Sequence, residues 1–394
     1  PLFSRARISF GKRLVTGIVV GLHSRSLPYP AKPLALLSPT QLTAHQVAFA
    51  RWIATTMQGG LGYTLRLFYP PGQIAEEVSA PTLSPASTAI PPAVTLLSQE
   101  LETSDVAYLE ARQKERWEVL HHLAQQYASQ KKQLLVLMPE KWMVDQFLAA
   151  LPPAHAHYWH GMHGDTSIRE QGRVWQRVRD GHVTAVVGTQ KALFLPWQQL
   201  GAVVIEEEFL STHKLWDQYP RLDNRYAARE LARVHGTHVL FATSVPSVGL
   251  EYELRTETVR LAHDRRLPLK LHVVAKTYVD RAEHRLLPAE FVSLLHRWLK
   301  ARETVLVLHN ARGTWQTAVC RKCHQAVRCE QCGVALTIHG SKKAPKLTCH
   351  HCDRTYPWLE VCPLCHKGKL SGFGAGTERI EDIIKAVVPN GVPI

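Results

Sequence analysis

All eight cysteines of this 394-residue chain lie between Cys320 and Cys365, and every one belongs to a Cys-x-x-Cys pair. The pairs are Cys320-Arg-Lys-Cys323, Cys329-Glu-Gln-Cys332, Cys349-His-His-Cys352 and Cys362-Pro-Leu-Cys365. A two-residue gap turns both sulfurs of a knuckle toward one ion, and two knuckles complete a tetrahedral four-thiolate zinc site. Eight thiols therefore make two closed zinc sites with none left over. Sixteen residues separate Cys332 from Cys349, a zinc-ribbon spacing, whereas only five separate Cys323 from Cys329. The spacing predicts nesting, with Cys329, Cys332, Cys349 and Cys352 on one ion and Cys320, Cys323, Cys362 and Cys365 on the other. Disulfides are the competing use of paired cysteines, but no secretory signal is visible and no cysteine lies outside the cluster. His350, His351 and His366 are ligands by type, yet the cysteines fill both sites and the histidines are assigned none.

Charge narrows the choice of partner. The formal net charge is +14, falling to about +10 once thiolates and two zinc ions are counted. Residues 1–75 hold Arg5, Arg7, Lys12, Arg13, Arg25, Lys32, Arg51 and Arg66 and no acid, so that segment alone carries +8. Ordinary solvated surfaces mix signs. An acid-free basic stretch points instead to nucleic acid, whose phosphates supply most non-specific affinity. No apolar run approaches the ~20 residues that span a bilayer, which points to a cytoplasmic protein without a membrane partner. The chain opens on Pro1 and stops at Ile394 in mid-pattern, so both termini are expected to be cut.

Residues 4–22 alternate and then run apolar around Gly11, the pattern of a β-hairpin, and a helix is predicted over Ala44–Met57. Residues 70–104 are rich in Pro, Ser, Ala and Thr without periodicity and are expected to be a linker. Beyond Asp105, helical stretches alternate with short apolar runs at Gln133–Met138, Val183–Gly188, Ala202–Ile205, His238–Thr243 and Thr304–Leu308. That alternation predicts an α/β fold with a parallel sheet covered on both faces. Ligands of such folds sit at the carboxyl ends of the strands. Those ends carry Met138-Pro-Glu140, Gly188-Thr-Gln190, Glu206-Glu-Glu208 and Ala242-Thr-Ser244.

These strand-end signatures, in this order and followed by the paired knuckles, resemble the PriA family of primosomal replication-restart helicases (primosomal protein N′). ISFGKRLVTGIVV at 8–20 and IATTMQGGLGYTLRLFYPPG at 53–72 look like the family's DNA-binding domain; LLVLMPE at 134–140 resembles helicase motif Ia. His163 to Trp175 and VVGTQKALFLPWQQLGAVVIEEEF at 186–209 are similar to the GTRSALF and DEEH region. Arg225-Tyr-Ala-Ala-Arg229-Glu, Asn310-Ala-Arg-Gly313 and Gly374-Ala-Gly-Thr-Glu378 fit later motifs. The resemblance implies RecA-like helicase lobes preceded by a small β-rich DNA-binding domain, with the two-zinc module inserted in the second lobe. On it we divide the chain into a DNA-binding domain at 1–69, a linker at 70–104 and lobe 1 at 105–262. The start of lobe 2 follows at 263–319, then the zinc module at 320–366 and the continuation of lobe 2 at 367–394. The linker leaves no room for the family's winged-helix domain.

The departures from the family pattern bear on activity. Such an ATPase needs glycine-rich amides around phosphates, a lysine for the β/γ-phosphates and a hydroxyl for Mg²⁺. That loop falls at Glu110-Ala-Arg-Gln-Lys-Glu-Arg-Trp117, which has no glycine, Arg116 at the lysine position and Trp117 at the hydroxyl position. Good helix formers predict continuous helix from Leu109 to Ala124. Glu206 replaces the metal-binding Asp of the acidic motif and Phe209 its His, leaving Glu207 as the remnant catalytic carboxylate.

The leading expectation is a protein that binds branched or single-stranded DNA and supports primosome assembly without ATP hydrolysis. By resemblance its partners include single-stranded DNA-binding protein and helicase-loading proteins, and its cofactors would include ATP and Mg²⁺ were the site intact. A working ATP-dependent 3′–5′ helicase with an atypical nucleotide site is the second reading, and a zinc-ribbon protein adaptor the third. Candidate DNA contacts are Arg5, Arg7, Lys12 and Arg13, with Trp216 and Tyr219 for base stacking. Trp142 and Trp175 are expected in the core.

Overall fold

The computed structural model describes residues 2–392 except 11–12, 23, 25–34, 71–88, 216–218, 267–270, 278–285, 310–316, 341–343, 374–376 and 390–391. Candidate residues Lys12 and Trp216 lie outside the described residues, as do the Asn310–Gly313 motif and most of Gly374–Glu378. Residues 1–268 form one compact unit and 269–394 another.

The first unit opens with β1 (Ser4–Phe10), β2 (Arg13–Ile18) and β3 (Ala35–Gln41), an antiparallel sheet ordered β2-β1-β3. The expected hairpin is there, with Arg7 opposite Thr16 and Arg5 opposite Ile18. Helix α1 (Ala44–Thr56) is started by a capping box in which Thr43 and Gln46 satisfy each other's amides. The short α2 (Leu61–Leu65) follows.

Part of the presumed linker is α3 (Pro92–Glu100), with Pro at its first turn. Val94, Leu97 and Leu101 recur at helical spacing and are buried, and Gln126 donates to Ser98 at 2.6 Å. The Pro/Ser/Thr composition conceals that stripe.

The seven-stranded sheet is parallel throughout and ordered β10-β4-β9-β8-β5-β7-β6. Its strands are β4 (Val106–Glu110), β5 (Gln133–Leu137), β6 (Trp159–Met162), β7 (Ala185–Gly188), β8 (Leu200–Glu206), β9 (His238–Thr243) and β10 (Arg260–Arg265). Helices α4 (Gln113–Ser129), α5 (Lys141–Ala149), α6 (Ile168–Arg179), α7 (Asn224–His235) and α8 (Val248–Arg255) connect them. Side chains of a strand alternate between faces, and here both faces are buried. Leu134 and Val136 pack with Trp117, Leu120 and Phe147 of α4 and α5. Leu135 and Leu137 pack on the other side with Val174, Ala228 and Leu231 of α6 and α7, and with Phe49 and Ile53 of α1. The basic N-terminal segment thus shares a core with the sheet.

Two expectations fail here. Leu109 and Glu110 are strand, not helix: pairing in the buried sheet overrides helix propensity, and α4 starts only at Gln113. Trp142 stands on the outer face of α5 at 59% exposure, whereas Trp175 is buried as expected.

In the second unit the helices Ala289–Lys300 and Thr377–Val387 flank the cysteine-rich module. Thr304–Leu308, expected as a strand, has no strand partner among the described residues, and Leu306 and Leu308 are exposed. Strand Thr317–Cys320 pairs with Leu370–Phe373, and Thr337–His339, Lys346–Thr348 and Thr355–Pro357 form a second antiparallel sheet.

Candidate functional site

The connection from β4 to α4, where the family resemblance set the phosphate loop, is short and its polar groups are already bonded. Only Ala111 and Arg112 lie between the two elements. The Arg112 amide donates to the Glu110 carboxylate at 3.1 Å, and the Glu115 and Arg116 amides donate to the Arg112 carbonyl. Arg116, at the lysine position, has a fully buried side chain. Its guanidinium donates to the Glu110 carbonyl at 2.5 Å, to Glu206 Oε1 at 2.9 and 3.0 Å, and to Glu207 Oε1. Trp117, at the hydroxyl position, donates its indole N–H to the same Glu206 oxygen at 3.2 Å. The basic residue and the acids that the family resemblance set at the phosphate and metal positions are therefore bonded to each other.

The acidic turn is closed from its far side too. Glu207 sits at a left-handed φ of 50°. Its second oxygen accepts from the Ser244 amide at 3.0 Å, the Ser244 hydroxyl at 2.9 Å and the Thr243 hydroxyl at 3.2 Å. Glu208 accepts from the amide and hydroxyl of Ser247, at 3.0 and 2.7 Å. Burial pushes the Glu206 carboxyl up to about 7 against the pull of Arg116. Burial likewise holds His213, whose ring is 2.9 Å from the Glu206 carbonyl, down to about 4. The partners of Arg116 come from the ends of β4 and β8, and that they bond to one another is not written in the motifs that single them out.

Arg7 and Arg13 are exposed on the N-terminal sheet. Arg5 is half-buried, with its guanidinium 5.2 Å from the centre of the Tyr69 ring. Tyr219 is part of a joint between the lobe and the N-terminal segment: its hydroxyl is 2.6 Å from that of Thr64, and its ring meets Tyr63 edge-on. A Cβ at Gly59 would lie 2.1 Å from the Tyr219 hydroxyl oxygen, so any larger residue there would have to push the Tyr219 ring out of this joint. Trp175 adds to the joint by donating to the Phe68 carbonyl at 2.9 Å.

The eight cysteines gather in the two nested groups: Cys320, Cys323, Cys362 and Cys365, and Cys329, Cys332, Cys349 and Cys352. Sulfurs between knuckles are 3.3 to 3.8 Å apart. A tetrahedral ion with bonds of about 2.3 Å needs sulfurs roughly 3.8 Å apart, so the groups fit zinc. The knuckles share one local device. In each, the N–H four residues after the first cysteine donates to that cysteine's carbonyl, and the donor residue is left-handed: His324, Gly333, Asp353 and His366. His366 is thus a turn residue rather than a ligand. Gly368 is required by a close approach, since a Cβ there would lie 2.3 Å from Cys320 Sγ.

A family model described as the 3′ DNA-binding domain of PriA matches residues 1–70. Replication restart protein PriA of Rickettsia conorii is 25% identical over 407 residues, covering 97% of this chain and 61% of that protein. The Helicobacter pylori (strain J99) protein of that name is 24% identical over 344 residues, covering 87% and 54%. The Bacillus subtilis one is 26% identical over 267 residues, covering 66% and 32%. The chain thus spans between a third and three fifths of the length of these relatives. Among solved structures, the DUF1998 helicase MrfA aligns at a TM-score of 0.34 and 18% identity, covering 56% of this chain and 35% of that one. The resemblance to the PriA family read from the sequence is borne out by the family model and the bacterial relatives. No described helix is long and apolar enough to cross a membrane.

Proposed function

We propose that this chain is a PriA-like replication-restart protein that holds branched or single-stranded DNA and supports primosome assembly without hydrolysing ATP. The observation that carries the loss of turnover is the Arg116 lock. Phosphoryl transfer is almost entirely positioning plus Mg²⁺ electrostatics, and both would have to come from groups here spent on one another. Affinity for DNA rests on the N-terminal segment, acid-free in sequence and matched by the 3′ DNA-binding domain model. Its exposed Arg7 and Arg13 offer phosphate contacts.

Both cysteine groups would hold zinc, which ties the knuckles into one rigid body and contributes folding energy outright. Single-stranded DNA-binding protein and helicase loaders are the partners this reading supplies, in the cytoplasm. An active 3′–5′ helicase would need the lock to open, and a pure protein adaptor would leave the basic segment without a use.

The test is forked-DNA binding across a salt series, with and without Mg-ATP. Replacing Arg7, Lys12 and Arg13 with Ala should weaken all sequences alike and flatten the salt slope by about 0.7 to 0.9 per lost contact. Mg-ATP should leave the affinity unchanged. Parent-like binding by the triple variant at low and moderate salt would refute the DNA assignment.

A further inference from the structure

A cleft of about 830 Å³ opens within the first unit, between the N-terminal segment and the parallel-sheet lobe. One wall is the sheet face carrying Arg5, Thr16 and Ile18, continued by Arg66; the other carries Gln171, Gln190 and Lys191. No carboxylate is among the described residues that line it. Arg66 and Lys191 are exposed and form no ion pair among the described residues. Arg5 is half-buried on this wall, its guanidinium 5.2 Å from the centre of the Tyr69 ring and without an ion pair among the described residues. Apolar Val15, Leu67, Met162 and Leu195 supply the remaining wall. The volume is that of sites that enclose a small ligand or a short polymer segment.

We propose that this cleft holds an unpaired segment of a DNA strand, its phosphates on Arg5, Arg66 and Lys191 and its bases against the apolar wall. The inference rests on the DNA-binding reading and adds a place and a strand state to it. Cations beside apolar or aromatic surface suit single strands, whose bases are free to leave the stack. A duplex is too wide to enter. The cleft also continues the basic surface, because Arg7 lies on the same sheet face as Arg5.

The experiment uses the full chain, a short fluorescein-labelled oligo-dT and a blunt duplex of equal length. Each single-strand phosphate contact contributes about 0.7 to the salt slope, equivalent to roughly fourfold in affinity at 0.15 M salt. Arg66→Ala and Lys191→Ala should each weaken oligo-dT about fourfold and flatten its slope by about 0.7, with duplex binding within twofold of the parent. Lys191→Arg should keep parent affinity. Unchanged melting temperatures exclude misfolding, since both side chains are exposed. If the double variant binds oligo-dT like the parent while the Arg7/Lys12/Arg13 variant is impaired, the cleft assignment is overturned and the DNA reading stands. An acidic protein segment as the true occupant would give that result. If the parent binds neither probe, both fall together.

Discussion

Replacing Arg116 with Met should destabilise the first unit far beyond the loss of one surface-type ion pair. Both Arg116 and Glu206 have fully buried side chains. Removing one partner of such a pair costs about 3–5 kcal/mol, because the other charge is left in a low-dielectric interior. At about 2–4 °C per kcal/mol for a unit of this size, the melting temperature should fall by roughly 6–20 °C. Glu207 would keep its bonds from Thr243 and Ser244, whereas Glu206 would retain only the Trp117 indole. The deficit should therefore depend on pH. Glu206 is already raised to about 7, and loss of Arg116 removes the main influence holding it down. A carboxyl raised on folding stabilises least at high pH. Relative to the parent, the variant should be worst at alkaline pH, and the gap should narrow as the pH falls toward 7, below which Glu206 is protonated in both proteins. Pairing Arg116→Met with Glu206→Leu should recover most of the loss, since an apolar replacement of a whole buried pair is often neutral. Thermal and urea melts at several pH values measure this. A cost under about 1 kcal/mol, or a deficit that does not change with pH, would refute the buried-lock argument.

Two further outcomes follow from other parts of the chain. Metal analysis should find two zinc ions per chain, and Cys349→Ser should lose one and unravel the strands Thr337–His339 and Lys346–Thr348; one ion in the parent, or a histidine in the coordination shell, would contradict it. His213 is held near 4 by burial while an unfolded histidine titrates near 6.5, so the unfolded state takes up the proton first as pH falls. Lowering the pH from 7 to 5 should cost about 1–2 kcal/mol at that residue, with His121 shifted in the same direction and Glu206 opposing both; a His213→Gln variant should therefore lose about that much less than the parent over the range, and an identical pH dependence would count against it.

The nested cysteine groups were legible because knuckle spacing is a local geometric constraint, and the parallel sheet because runs such as Gln133–Leu137 are apolar on both faces. Residues Leu109 and Glu110 misled because helix propensity is weak against strand pairing on both sides of β4. Helix α3 was hidden by prolines and serines around a three-residue apolar stripe. The left-handed turn of each knuckle has a sequence mark only at Gly333; His324, Asp353 and His366 give none. Least legible was the site itself. The sequence shows no glycine over 110–117, but that Arg116 reaches Glu206, 90 residues away, depends on where α4 and β8 end in space.

The most direct measurement of the central claim is DNA-stimulated ATP turnover by the parent beside a Glu207→Gln variant. With Arg116 occupying the acids, neither protein should release phosphate above background, with or without forked DNA. Turnover in the parent that disappears in the Glu207→Gln variant would show a living site and contradict the account.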